Sequence, residues 1–528
     1  MTTKKSYPIE ENQRFSKSLI WQLQRTFFRQ QGEKAWSRDI VPHYITSNPY
    51  IAQAYARVIF GWLRDIAQRL DRSQPVYIVE LGAGSGRLAY HFLNTFFAFF
   101  DTSVLRDIPI TYVLTDFTQT TLDFWTHHPQ LKPWIEAGRL DFATFDAEQD
   151  NTLALVNQGI TLTADTLKNP LGLIANYFFD GLTQDVFRIK NGALHESLVT
   201  LKVPQSNPDL DDPNLLQQVE FSYKHRPINT ADYYDDADLN IMLQTYEANL
   251  SQTTLIFPIG SLECLRRLIQ LSNHNLFLLA GDKGYHHESD LFYRGEPGLS
   301  IHGSFSMMVN YHAIGQYTKL RAGQFLSTPH HHASLDICGI LFGQHPDNYP
   351  ETRHAYQQEI VRSNPDDFYM INKSVDTPDG ILEVEQFLAY MRFSGWDSSL
   401  LFEYFPLLLP ILDEVSEGIR EDLYELVQHV WEGYFHIGEA HNLPFMLGEI
   451  LMGLEYHTEA IDFFHHSRQL YGDQAMTFYH LARCHYDLYQ LETALEFINQ
   501  SLNIDPQDES VPALKTKIEN ELQSPRYF

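Results

Sequence analysis

The segment Val76 to Gly86 reads Val-Tyr-Ile-Val-Glu-Leu-Gly-Ala-Gly-Ser-Gly. It is a β-branched run that ends on a carboxylate, opens into three alternating glycines and leads into helix-forming residues. Glycine has no Cβ and tolerates positive φ, so Gly82, Gly84 and Gly86 let the backbone turn from strand to helix while passing close to a bound molecule. A dinucleotide fingerprint places its glycines as G-x-G-x-x-G, for a pyrophosphate at the helix N-terminus. Here the third glycine comes one residue early, and Glu80 precedes the loop. The alternative is a tight strand-to-helix turn that binds nothing. We expect a cofactor site, and one not built for phosphate.

A chain of 528 residues exceeds what one hydrophobic core serves, so several domains, or two large ones, are expected. Lys and Arg number 38 against 67 Asp and Glu, a formal charge of -29, which argues against a surface that must neutralise nucleic-acid phosphates. A basic or neutral partner fits that charge; so does acidity that serves only solubility. Cys264, Cys338 and Cys484 are odd in number and far apart, which predicts buried free thiols, with no disulfide framework and no metal site. The N-terminus, with Lys4, Lys5, Glu10 and Glu11, lacks the apolar core of a signal peptide, and no later stretch is long and uncharged enough to span a bilayer. The expectation is a soluble, cytoplasmic protein with neither a nucleic-acid nor a membrane partner.

Helical spacing of Phe15, Leu19, Leu23, Phe27 and Phe28, and of Ile51, Tyr55, Ile59 and Leu63, predicts helices before the first strand. Val76 to Leu81 is then a strand, Arg87 to Phe100 an apolar helix, and Ile110 to Leu114 a strand ending in Thr115-Asp116. Leu140 to Phe145 ends in Asp146, and Leu171 to Ala175 runs into Asn176-Tyr177-Phe178-Phe179-Asp180. This alternation predicts an α/β doubly wound sheet, Rossmann-like, whose ligands sit beyond the carboxyl ends of the strands. Glu80, Asp116, Asp146, Asn176 and Asp180 should therefore converge on one crevice. Acidic, proline-bearing residues from about Val203 to Ala248 read as an insertion, either a lid or, preferably, a solvated loop. Thr254 to Phe257, Leu276 to Ala280 and the region around Ser304 to Val309 are candidates for later strands of the sheet. His330, His331 and His332 are adjacent in a loop, where neighbouring side chains diverge; a substrate-facing histidine suits them better than a metal site.

After about Asp397 helical signals dominate and the sequence repeats. Leu447, Gly448, Ala460, Phe464, Ser467 and Gly472 recur ~34 residues on as Leu481, Ala482, Ala494, Ile498, Ser501 and Pro506, the tetratricopeptide (TPR) period. Small residues at Gly448/Ala482 and Ala460/Ala494 let antiparallel helices approach closely, and Pro506 ends the second pair. Helices at Leu401 to Phe435 and Val511 to Leu522 would cap the array. Such an array either binds a protein partner on its concave face or serves a structural role. The division expected is 1–70, an N-terminal helical segment of the catalytic domain; 71–396, its α/β core with the insertion around 203–250; and 397–528, an all-α TPR-type domain.

The glycine loop is how S-adenosyl-L-methionine (AdoMet) methyltransferases begin, and the first ~400 positions resemble the MidA-type family of class I enzymes of that kind. Three places carry the likeness: Ile45-Thr46-Ser47 with Pro49 ahead of a helix ending Gly61-Trp62; Glu80-Leu81-Gly82-Ala83-Gly84-Ser85-Gly86-Arg87-Leu88; and Ala175-Asn176-Tyr177-Phe178-Phe179-Asp180. Leu278-Leu279 leading to Asp282 and Gly284-Tyr285 is a weaker fourth. The resemblance implies AdoMet as cofactor, and the family's mitochondrial branch is associated with complex I assembly and protein-arginine methylation. This chain departs from the family pattern where Tyr50, Ala56-Arg57 and Tyr177 replace acidic positions, which weakens the case for arginine, since a guanidinium is best held by carboxylates.

The resemblance implies that Gly82, Ala83, Gly84 and Gly86 contact the methionine moiety, with Glu80 beneath, Thr46 nearby and Asn176 shared with the catalytic side. Asp116 is expected to accept the ribose hydroxyls, or else to cap a helix. Asp146 is expected to receive the adenine amino group. Asn176, Tyr177 and Asp180 would face the methyl: Tyr177 as an aromatic face or a core residue, and Asp180 to orient or deprotonate the nucleophile. The function expected is an AdoMet-dependent methyltransferase acting on a protein recruited in part by the TPR region. The alternatives are an inactive adaptor and a small-molecule methyltransferase.

Overall fold

The computed structural model describes residues 6–32, 34–38, 40–302, 304–343, 348–374, 383–507 and 510–523. Lys4 and Lys5 lie outside them. The chain divides into two compact units, Met1–Ser374 and Val375–Phe528. The division precedes residue 397 because the helix Val384–Ser394 packs with the later helices Ser398–Leu408 and Glu417–Gly433.

The first unit is mixed α/β around a seven-stranded sheet. Across the sheet the strands run Gln324–Leu326, Asp336–Phe342, Leu276–Asp282, Leu171–Asn176, Val76–Leu81, Ile110–Asp116 and Leu140–Thr144. The five from Leu276–Asp282 to Leu140–Thr144 are parallel; Asp336–Phe342 is antiparallel to both of its neighbours. The winding reverses between Val76–Leu81 and Leu171–Asn176, so a crevice opens beyond their carboxyl ends. Every residue of Val76–Leu81 and Ile110–Asp116 is buried, as strands covered on both faces require.

Helix Arg87–Phe100 follows the glycine loop and buries Phe92, Phe96, Phe97 and Phe100. Helix Pro49–Ile66 starts on Asn48, whose side chain accepts from the Ile51 N–H, with Pro49 in the first turn. Its Gly61 has to be glycine for a packing reason: a Cβ there would fall 2.8 Å from the Glu351 carbonyl oxygen of the helix Pro350–Tyr356. The adjacent Trp62 lies over Gly172 of the central strand.

Three expectations change. Of the three stretches expected as later strands, only Leu276–Asp282 joins the main sheet. Gln252–Phe257 instead pairs with Asp185–Lys190 in a second, antiparallel sheet that also contains Tyr7–Arg14, Ala193–Val203 and Glu220–Pro227. Ser304–Ser306 forms a short ribbon with Ser300–His302. The acidic stretch from 203 to 250 is not simply a solvated loop. It supplies the strand Glu220–Pro227 and the helix Ala237–Asn249, whose Leu239, Met242, Leu243 and Tyr246 enter the main core. Its aspartates serve turns and caps: Asp236, for example, accepts from the Asp238 N–H at the helix start.

The second unit is helical. Leu443–Gly453 pairs with His457–Tyr471, Ala475–Asp487 with Leu491–Ile504, and Val511–Gln523 follows. Both members of each repeated apolar or small pair are buried, from Leu447/Leu481 to Ser467/Ser501. No helix among the described residues is long and apolar enough to cross a membrane.

Candidate active site

The glycine loop takes the conformation its residues allow. Gly82, Gly84 and Gly86 have φ of 64°, 55° and 79°, values that a side chain would strain. The turn is locked from behind: the Ala83 N–H donates to the Thr115 carbonyl at 2.9 Å, and Trp125 Nε1 donates to the Gly84 carbonyl at 3.1 Å. It is covered from the front by two aromatic rings. A Cβ on Gly82 would fall 2.8 Å from the Phe178 ring, and one on Gly84 2.8 Å from the Trp36 ring.

Beside this turn lies a cavity of about 320 Å³ at the carboxyl ends of the strands. Gly82, Asp116, Asp146, Tyr177 and Asp180 line it, as do Arg25 and Trp36 from the N-terminal segment and Lys283 from the end of the fifth parallel strand. Asp116 Oδ1 accepts from the Thr118 N–H and hydroxyl, at 2.8 and 2.9 Å. Asp116 does not cap the following helix, Gln119–His127, which starts on Thr118; its carboxyl braces the turn before it and lines the cavity. Burial pushes it up to about 6, against the pull of those hydrogen bonds. Tyr177 lines the cavity at φ 44°, a left-handed conformation rare for a bulky residue, and its N–H donates to the Gly281 carbonyl.

Several expected residues are engaged elsewhere. Glu80 is buried beneath the loop, accepts from the Tyr112 hydroxyl at 2.8 Å, and is pushed up to about 8 by burial. Neither Glu80, Ala83, Gly84 nor Gly86 lines the cavity. Asn176 spends its amide on structure: Oδ1 accepts from Tyr55 at 2.7 Å, and Nδ2 donates to the Thr46 carbonyl at 3.1 Å. Asn176 and Thr46 thus tie the helix Pro49–Ile66 and its approach to the sheet, and neither lines the cavity. Asp146 lines it but is ion-paired with Arg25, at 2.5 and 3.3 Å, and also accepts from the Glu148 N–H. His330 to His332 do not line the cavity: His331 pairs with Asp290 and His332 with Asp366 and Thr328.

The altered positions have packing roles. Tyr50 stacks on Phe368, with centroids 4.2 Å apart and planes 5° from parallel, and Arg57 pairs with Glu359 at 3.0 Å. His286, Asp336 and Cys338 bring potential metal-binding atoms within 4.8 Å of one another. Both His286 nitrogens are already used, by Asp336 at 2.7 Å and by the Thr328 carbonyl at 2.8 Å.

Sequence reasoning missed Arg25, Trp36 and Lys283 in the cavity wall, and noted the buried acid Asp282 behind it only as part of a motif, with no role in the site. Arg25 and Trp36 lie in a segment read only for helical periodicity. Asp282 carried a visible signal, being the polar end of a fully buried strand, as Asp116 is of another.

Residues 58–290 match the model of a family described as "Putative S-adenosyl-L-methionine-dependent methyltransferase". No curated protein matches the chain. Two solved structures from Burkholderia thailandensis are similar to parts of it. One is an uncharacterized COG1565 superfamily protein, 15% identical, matched over 60% of this chain and 72% of its own, with a TM-score of 0.35. The other is a member of the same superfamily bound to S-adenosyl-homocysteine, 13% identical, over 58% of this chain and 79% of its own, with a TM-score of 0.33.

Proposed function

We propose that the chain is an AdoMet-dependent methyltransferase of the MidA type and class I fold. The observation that carries this reading is the side-chain-free turn at Gly82, Gly84 and Gly86, with positive φ throughout, opening beside a cavity that Asp116 and Asp180 line. Those residues fit the cofactor. Gly82 brings backbone to the cavity surface where an amino-acid end can be held, and the Asp116 carboxyl offers acceptors for ribose hydroxyls. Bound there, the cofactor supplies an electrophilic methyl group and a thioether leaving group. The chain supplies alignment and exclusion of water, worth roughly 7 to 11 kcal/mol of barrier at best. Trp36, Phe178 and the Arg25–Asp146 pair wall the cavity, and Asp180, which lines it, would orient the acceptor. Because Arg25 holds Asp146, the adenine amino group is better assigned to other acceptors in that wall.

We extend the proposal to the second unit: its helical pairs form a TPR-type array that recruits a protein acceptor. Calorimetric titration of the full chain with AdoMet, followed by tritiated-methyl labelling of captured proteins, tests both parts. Binding with transfer is the expected result; absence of binding overturns the methyltransferase reading. A second reading, an inactive adaptor, is favoured by Trp36 and Phe178 covering the glycine turn. Binding without any labelled product would support it.

A further inference from the structure

Asp282 ends the fifth parallel strand and is fully buried. Its Oδ2 accepts from the Tyr311 hydroxyl at 3.0 Å and from the Phe179 N–H at 3.3 Å. Its Oδ1 is buried, and no N–H or O–H donor among the described residues reaches it. Because the Phe179 N–H is held by Asp282, the next residue of that turn, Asp180, is brought beside Asp282, and the two carboxyls interact. Two carboxylates cannot hydrogen-bond to each other, so one of the two acids must keep a proton for the contact to hold. Asp180 sits in the short turn Phe179–Gly181 and reaches the cavity, whereas Asp282 does not.

Resting on the reading of the cavity given above, we propose that Asp180 and Asp282 share one proton and work as a single proton-accepting site. The methyl acceptor would then present a nucleophilic atom that still carries a hydrogen, such as a hydroxyl or an N–H nitrogen. Asp282 keeps the shared proton and donates it to Asp180, which faces the cavity as the anion. The hydrogen shed by the methylated atom passes as a proton to a free Asp180 oxygen and leaves through the cavity. Asp282 acts through Asp180 and is a positioning residue. An acceptor that carries no hydrogen on its nucleophilic atom, such as a thioether, would have no use for the pair.

The charges around the pair agree with one ionised and one neutral acid. Burial raises both groups; the hydrogen bond between them raises Asp282 further and holds Asp180 down, at about 6. The other titratable groups facing the pair are Tyr55, Tyr177, Tyr311 and Cys338, with Asp336 opposite Asp282 across the ladder and Lys283 lining the cavity. Burial raises the three tyrosines and the thiol, which keeps them neutral in the range where Asp180 titrates.

The test uses the full chain with AdoMet, a cation, and S-adenosylhomocysteine, its neutral counterpart. Their affinity ratio, measured by calorimetry from pH 5 to 8, should rise several-fold in favour of the cation as Asp180 ionises. The rise should keep its midpoint in Asp282→Asn, which retains a donor to Asp180. It should move to higher pH in Asp282→Leu and vanish in the Asp180→Asn/Asp282→Asn variant. Infrared spectroscopy gives a readout that needs no ligand: in a Glu80→Gln background, which removes the other buried carboxyl held protonated at pH 7, a protonated-carboxyl band should be present at pH 7 and lost on Asp282→Asn. A pH-independent ratio, equal midpoints in the Asn and Leu variants, or an unchanged band overturns the shared proton. Label found on a thioether sulfur overturns the acceptor class. Failure to bind either ligand overturns the cofactor reading instead, and the infrared result still decides the pair.

Discussion

Trp36 packs against Gly84 so closely that a Cβ on the glycine would fall 2.8 Å from Cζ2 of the indole. The N-terminal segment therefore reads the absence of a side chain in the cofactor turn. Gly84→Ala should destabilise the first unit by about 1–3 kcal/mol, from the left-handed backbone together with the clash. Adding Trp36→Ala should relieve the steric part and leave the backbone part, which a double-mutant cycle in urea would separate. Purely additive effects would contradict the contact.

Glu80 makes stability pH-dependent with a definite sign. Its folded value of about 8 lies above its ordinary 4.5, so between these the native state holds more protons than the unfolded chain. The contribution of Glu80 is thus fully present at low pH and is lost as pH rises towards 8. Glu80→Gln should gain on the parent by on the order of a few kcal/mol between pH 5 and 8. Parallel denaturation curves for the two proteins at both pH values would refute this.

Arg25 and Asp146 fasten the N-terminal helix to the cavity wall, and Arg25 also lies 4.8 Å from the Phe117 ring. The pair is partly buried, so its coupling should exceed that of a surface ion pair, at about 1 kcal/mol or more. Arg25→Ala should weaken AdoMet binding, and Asp146→Asn should weaken it less in the Arg25→Ala background than alone. Equal losses in both backgrounds would mean that the two side chains act independently.

Gly448 occupies the close approach between paired helices of the second unit, where a Cβ would fall 2.7 Å from the Phe464 ring. Gly448→Ala should cost about 1–3 kcal/mol through overpacking, despite the higher helix propensity of alanine. Differential scanning calorimetry checks the sign: a rise in Tm would show that the ring yields freely.

The parallel strands were legible because each is a short apolar run with a polar terminus, and local pattern suffices for that. Val76–Leu81 and Arg87–Phe100 have the limits their residues suggest. The strand Asp336–Phe342 was not read, although it is wholly buried, because nothing in its local sequence says which neighbour it pairs with. Asn176 and Asp180 stand four positions apart in one motif, yet the first is consumed by Tyr55 and Thr46 and the second opens on the cavity.

By itself, then, the sequence determined the alternating α/β core, the turn that only glycine fits, and the later helical pairs, since backbone sterics and hydrophobic period are local properties. Only the tertiary structure decided that Arg25 closes on Asp146, that Trp36 covers Gly84, and that Asp282 comes to lie behind Asp180. Each of those pairs joins residues distant along the chain, and whether a carboxylate faces a cation, a ring or another acid depends on which strands and helices the fold brings side by side.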